Sequence, residues 1–213
     1  MDSADAAEMV AEVHEAAETN EEAARTRFRN RAALLIAIIA AVLAIGGLGG
    51  GNATDDMIAN NIHASDTWAF FQAKNVRQTV LEMAVIELEG DLADPGLTPD
   101  RRARMERQLA EHRATIARYE SEPDPAAPND PLRGEGKRQL RAQAQAYEAA
   151  REVASEQDNN FDLAETLLQL ALVLGSVAIL ALNRPILIMS GVLGLAGTLL
   201  TVNGFFLLFA LPL

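Results

Sequence analysis

The sequence contains no cysteine, few aromatic residues and few basic ones. Without cysteine the chain can form no disulfide, thiol nucleophile or thiolate metal site. Its 18 Lys and Arg residues are outnumbered by 30 Asp and Glu residues, which leaves a net charge of −12. Because binding to phosphate backbones requires clustered positive charge, we do not expect nucleic acid as a partner.

Patterns of residues that carry chemistry are absent as well. The 3 histidines lie in separate segments, and none has a companion at the helical spacing of a metal pair. The carboxylates show no spacing that singles out a general acid and base. The glycine run 46–51 has apolar flanks and does not open a helix after a strand, unlike a phosphate-binding loop. We therefore expect no catalytic, cofactor or metal site, and a protein that is not an enzyme.

The chain does contain three long apolar segments, 32–51, 163–182 and 186–211. Each can cross a bilayer as a helix. Pro185, in the three-residue connection between the last two, disfavours continued helix and predicts a tight turn. The first segment could instead be a cleaved signal peptide, but the acidic stretch 1–31 before it is too long for one. The fold class predicted is an all-α membrane protein with three transmembrane helices.

Charges beside these segments predict their orientation. Four arginines between Arg25 and Arg31 precede the first segment, and Arg184 follows the second. Acidic residues, including Asp55 and Asp162, flank the other ends. Since positive flanks stay in the cytoplasm, we expect residues 1–31 inside the cell and both 52–162 and the C-terminus in the periplasm, with the protein in the inner membrane.

The stretch 52–162 reads as a helical domain. Asn52–Asp91 shows a seven-residue repeat, which is typical of coiled-coil packing. Its first set of positions is Ile62, Ala69, Val76 and Met83, and its second set is Ser65, Gln72, Thr79 and Ile86. The second set is so polar that these side chains either hydrogen-bond to one another or face water.

A turn at Asp94–Gly96 and a helix start at Thr98-Pro99 predict a second helix, which would form an antiparallel hairpin with the first. The proline-rich segment 123–135 predicts an extended linker. A third helix, about 137–160, would lead directly into the second membrane segment. The N-terminal segment 1–31 is interpreted as an acidic cytoplasmic helix, either solvated or docked on a partner.

The segment Trp68–Lys74 is the densest unusual cluster and holds the single tryptophan. Trp68, Phe71, Gln72 and Asn75 share one helix face at 3–4 spacing. The cluster is interpreted as a packing node between helices or subunits, with a ligand or peptide site as the alternative.

The membrane segments carry two further features. Gly191, Gly194 and Gly197 form a small-residue stripe in the third segment, which favours close packing on the second segment or on another copy. Glu165 and Gln169 are four residues apart where the second segment enters the membrane. Since polar groups there are costly, we expect Glu165 at the interface and Gln169 in a bond to another helix, or else a water-filled path.

Two motifs resemble a known family of small bacterial inner-membrane proteins of unknown function. One is an Asp-x-Trp-Ala-aromatic-aromatic-Gln-Ala-Lys motif, here Asp66 and Trp68–Lys74. The other is the run Phe161–Gln169, which opens a terminal membrane hairpin. The resemblance covers about residues 5–205 and implies the same membrane layout, but no activity or catalytic residue.

Together these patterns predict a non-enzymatic, membrane-anchored helical interaction or scaffold protein. Its expected partners are the lipid bilayer and either further copies of itself or another membrane protein. The alternative is a homo-oligomeric pore or transport component whose polar first helix lines a vestibule.

Overall fold

The computed structural model describes the backbone of residues 3–211 and the side chains of residues 14, 15 and 17–211. The described residues form four α-helices and no β-strand: α1 (Ser3–Leu92), α2 (Pro99–Glu120), α3 (Lys137–Ala181) and α4 (Arg184–Phe206). The all-α prediction is thus confirmed. Three helices, α1, α3 and α4, are long and apolar enough to cross a membrane by length and composition.

The glycine run 46–51 does not interrupt α1, although glycine weakens isolated helices. Close packing explains the glycines at positions 49 and 50. A Cβ at Gly49 would come within 2.6 Å of the Phe161 ring and 2.9 Å of the Phe205 ring. These two rings also meet edge-on, with centroids 4.9 Å apart. The missing side chains therefore make room for an aromatic contact, which supports the helix where propensity alone would not.

The chain divides into two compact units. The first unit comprises Met1–Thr54 and Ser155–Leu213, and the second unit comprises Asp55–Ala154. The helices α1 and α3 each contribute residues to both units.

The first unit buries a small apolar core together with small and polar residues, and it exposes many large apolar side chains. Its core is built around Ile39, Leu168 and Ala171. The side chains of Ser190 and Asn203 are also fully buried. In contrast, large apolar side chains such as Leu180, at 84% exposure, point outward. The outward-facing large apolar side chains of this unit are Leu34, Ile38, Ile45, Leu48, Leu163, Leu170, Val173, Val177, Leu180, Ile188, Met189, Val192, Leu195, Leu199, Val202, Phe205, Phe206, Leu208 and Phe209. Water penalises such a surface, whereas hydrocarbon does not.

In the second unit α2 returns along α1. The turn closes when Gly96 N–H donates to the Asp94 carboxylate at 2.8 Å. Arg102 then donates to the Leu92 and Asp94 carbonyl oxygens, which satisfies the end of α1. Met105 is the buried residue of α2.

The proline-rich segment is not the extended linker that its composition predicted. Glu135 N–H donates to the Glu122 carbonyl at 2.9 Å, and Asp124 N–H donates to the Arg133 carbonyl at 3.3 Å. The Arg133 guanidinium also pairs with the Asp124 carboxylate at 2.9 Å. The segment is therefore a closed loop, because local turns and an ion pair hold its two ends together.

Candidate interaction sites

The aromatic residues of the motif join α1 to α3 within the second unit. The Trp68 indole N–H donates to the Glu148 carboxylate at 2.8 Å. Its ring meets Phe71 edge-on, with centroids 5.4 Å apart. The Arg141 guanidinium lies 5.4 Å from the centroid of the Phe71 ring, a cation–π distance. Both aromatic side chains are half-buried, so this is the geometry of a packing node.

Lys74 fixes the proline-rich loop to α1. Its side chain is only 6% exposed. Its ammonium pairs with the Glu122 carboxylate at 3.2 Å and donates to the Glu135 carbonyl. The rings of Phe70 and Tyr119 have their centroids 5.2 and 5.7 Å from the same nitrogen. Because Glu122 and Glu135 stand at the two ends of the loop, one cation holds both ends in place.

The polar members of the motif do not join this node as a group. Gln72 is exposed. Asn75 is also exposed, and its side-chain oxygen accepts from the Lys137 ammonium at 3.2 Å. Asp66 is exposed and has no hydrogen bond or ion pair with any other side chain that the structure describes. The shared face predicted from spacing is therefore divided between the interior and solvent.

The seven-residue repeat of α1 lies on the face that points away from α2 and α3. We call its eight positions, together with Ile58 seven residues before Ser65, the outer stripe, and all nine of these residues are exposed. They are Ile58, Ile62, Ser65, Ala69, Gln72, Val76, Thr79, Met83 and Ile86. None is charged, and Val76, Met83 and Ile86 are 64%, 67% and 69% exposed. The repeat does not face the interior of this unit, where the buried residues of α1 are Ala64, Lys74 and Gln78 instead.

Glu165 and Gln169 bond to each other. The Gln169 amide donates to the Glu165 carboxylate at 2.8 Å along the same helix. This differs from the bond to another helix expected for Gln169. Both side chains are exposed on the outer surface of the first unit, together with Asp162, Thr166 and Ser176 on the same helix.

The glycine stripe of α4 faces the interior of the first unit. A Cβ at Gly197 would approach Leu168 of α3 to 2.6 Å, and one at Gly194 would approach Ile39 of α1 to 2.7 Å. Gly191 has more room, since its nearest neighbour, Leu35, would be 3.8 Å away. The glycine stripe therefore packs within the chain. It contacts α3, as the sequence predicted for the second membrane segment, and it also contacts α1.

Asn203 stops α4 at Phe206, short of the predicted Leu211. Its side chain donates to Asn160 at 2.7 Å and accepts from Phe209 N–H at 3.0 Å. Leu207 takes a left-handed conformation, with φ 45°, which ends the helix. The pairing of Asn203 with Asn160 could not be predicted from the sequence, because the two residues are 43 positions apart.

Among the residues with described side chains, no group of three or more His, Asp or Glu residues is placed to hold a metal ion. The recognisable features of this chain are thus helix-packing contacts and exposed helix faces.

These features define an all-helical protein with three helices capable of crossing a membrane. The chain belongs to the family described as domain of unknown function DUF4337, which matches residues 28–207. No curated protein and no solved structure matches the chain.

Proposed function

We propose that the chain is a membrane-anchored helical interaction protein whose copies associate through the outer stripe. The observation that carries this proposal is the exposure of a charge-free seven-residue repeat. The membrane anchor brings the copies into one plane, and the stripe supplies the contact between them.

The first unit supports the anchor. Its buried Ser190 donates to the Ala171 carbonyl at 2.6 Å, and its buried Asn203 is fully bonded. Buried glycines and hydrogen-bonded polar residues between the helices, with many large apolar side chains on the outer surface, suit helix packing in lipid. In water the same surface would form an apolar patch far larger than soluble monomers expose.

Orientation follows from where the arginines lie. Arg27, Arg31 and Arg184 line one groove of the first unit. The start of the first span and the turn between the last two therefore share one side. The positive-inside rule assigns that side to the cytoplasm. By chain order, residues 55–154 then lie outside the cytoplasm, in the periplasm of a cell with two membranes.

A second copy of this chain fits the outer stripe better than a foreign helix of opposite charge. No charged residue occupies its nine positions, so like copies do not repel one another along it. At a rise of 1.5 Å per residue the stripe is about 42 Å long, and with a helix width of about 10 Å it covers about 400 Å². Six of its nine residues are apolar, and apolar residues at a seven-residue spacing on an exposed helix suit packing against a second helix. Anchoring in one membrane makes the copies parallel, which aligns identical positions.

Disulfide cross-linking tests this contact cleanly, because the natural chain contains no cysteine. In a parallel pair, residues at Val76 and Met83 would each face their own copy within disulfide reach. Membranes carrying Val76→Cys or Met83→Cys should give a covalent dimer under mild oxidation. Arg77→Cys is the matched control, since Arg77 is exposed but lies off the stripe.

Equal cross-linking of all three variants would contradict the stripe as a specific contact. Absence of cross-linking together with a monomeric mass in detergent would contradict self-association altogether. As a second check, Met83→Glu should reduce cross-linking through Val76→Cys, because two glutamates would then face each other.

One observation favours a second candidate, a homo-oligomeric pore. Asp162, Glu165, Gln169 and Ser176 place polar side chains on the outer surface of α3. Polar groups facing lipid are costly, so a ring of copies could turn them toward a water-filled centre.

Subunit number and solute flux separate the two functions. A pore requires three or more copies around the α3 polar face and release of a small dye from liposomes. Gln169→Leu should then reduce that release. Copies joined through the outer stripe without dye release favour the interaction protein.

A further inference from the structure

A basic groove of about 510 Å³ lies in the first unit, where α1 approaches the start of α4. Its lining residues are Ala24, Arg27, Phe28, Arg31, Arg184, Leu187 and Ile188. Three guanidinium groups from two distant parts of the sequence thus converge on one space, and no carboxylate lines it.

No carboxylate within the described part of the chain pairs with these cations. Among the side chains that the structure describes, Arg27, Arg31 and Arg184 form no ion pair, and Arg27 donates only to the Ala23 carbonyl. By contrast Arg25, outside the groove, pairs with Glu21 at 3.3 Å. The overall charge of the chain is −12. The groove with its three unpaired arginines is therefore a positively charged site on a negatively charged protein.

We propose that this groove binds the phosphate headgroup of an anionic phospholipid in the cytoplasmic leaflet. Guanidinium forks bind phosphate oxygens in pairs, and basic pockets between membrane helices suit such headgroups. The inference rests on the proposed membrane placement.

The apolar part of the groove distinguishes a lipid from a free anion. Phe28, Leu187 and Ile188 offer hydrocarbon surface beside the arginines. Ile188 is 66% exposed, and Val192 and Leu195 continue the exposed apolar surface along α4 at 61% and 63%. A phospholipid whose phosphate binds the arginines would place its acyl chains against this surface. Inorganic phosphate has no acyl chains and gains nothing from it.

The test measures lipid-dependent thermal stabilisation of the purified full chain in a neutral detergent. The probes are diphosphatidylglycerol, phosphatidylcholine and inorganic phosphate. We expect diphosphatidylglycerol to raise the melting temperature in a saturable way and the other two to have no comparable effect. The double variant Arg31→Gln/Arg184→Gln should weaken the apparent lipid affinity at least tenfold.

Arg29→Gln is the matched control, because Arg29 is an exposed arginine of the same flank that does not line the groove. It should keep the affinity within about twofold of the natural chain, since it removes one charge from the flank but no contact from the groove. The single variant Arg184→Gln repeats the test should the double variant fold poorly. Melting temperatures without lipid verify that each variant is folded.

An equal loss in Arg29→Gln would overturn the groove in favour of diffuse attraction to the whole flank. Equal stabilisation by inorganic phosphate would overturn the lipid assignment. A chain that stays soluble without detergent would overturn the membrane placement itself. If the chain needs detergent but no probe distinguishes the variants, the groove inference alone fails.

Discussion

Replacing Lys74 with methionine should destabilise the second unit without creating a large cavity. Methionine keeps much of the buried hydrocarbon stem but removes the ammonium. The Glu135 carbonyl and the Glu122 carboxylate then lose the donor they share. The Phe70 and Tyr119 rings also lose the cation that lies about 5 to 6 Å from their centroids. The loop therefore loses the contact that fixes both its ends.

The magnitude follows from these contacts. A hydrogen bond involving a charged group contributes about 1.5–3 kcal/mol, and a buried group left without a partner costs about 1–3 kcal/mol. The Glu122 side chain is 36% exposed, so water recovers part of that loss. We expect the free energy of unfolding to fall by about 2–4 kcal/mol. With a denaturant slope of about 2 kcal/mol per molar urea, the midpoint should fall by about 1–2 M.

Trp68 fluorescence provides the assay, because it is the only tryptophan and belongs to the second unit. Arg77→Met is the control: Arg77 is an exposed cation on the same helix with no ion pair to any described residue. The free energy of unfolding of this variant should stay within about 0.5 kcal/mol of that of the natural chain. Equal midpoints for Lys74→Met and Arg77→Met would refute the account of Lys74 as the residue that fixes the loop.

Three further changes test other parts of the structure. Gly197→Ala should destabilise the detergent-solubilised chain by about 1–3 kcal/mol through overpacking. Gly191→Ala should leave the melting temperature nearly unchanged. Equal effects of the two variants would contradict the close contact between Gly197 and Leu168 of α3. Trp68→Ala should lower stability by about 2–4 kcal/mol, less than for a fully buried ring, as measured by circular dichroism; an unchanged melting temperature would mean that the ring contributes no packing. The hydrogen bond from Lys137 lowers the pKa of Glu120, so the charged carboxylate stabilises the fold above the ordinary glutamate pKa and that contribution is lost as pH falls through the lowered pKa. Glu120→Gln should therefore cost about 0.2–1 kcal/mol at neutral pH and nothing in strong acid, and a cost that persists in acid would contradict this role.

The membrane-type helices could be predicted from sequence because their signal is local. A run such as 32–51 is apolar on every face, and only a few environments accept such a helix. Hydropathy alone predicts the end of α4 at Leu211, which is later than the observed end at Phe206. The apolar run continues to Leu211, but the bond between Asn203 and Phe209 N–H and the left-handed Leu207 stop the helix earlier. Hydropathy carries no information about either contact.

The proline-rich loop shows where local reasoning fails. Prolines predicted an extended linker, yet bonds between its own ends close the loop, and Lys74, 48 positions before Glu122, fixes it to α1. Such a contact depends on tertiary structure that neither segment encodes alone. The repeat in α1 could be predicted in part. Its seven-residue period is visible in the sequence, but only the structure shows that it lies away from α2 and α3.

Cysteine labelling in intact cells tests most directly that three helices cross the membrane with the N-terminus inside. Pro125→Cys and Asn20→Cys introduce single thiols at exposed positions of a chain that has none of its own. With the outer membrane permeabilised, an impermeant maleimide should label Pro125→Cys at once and Asn20→Cys only after the inner membrane is broken. Equal labelling of both before lysis, or recovery of the chain in the aqueous fraction without detergent, would contradict the account.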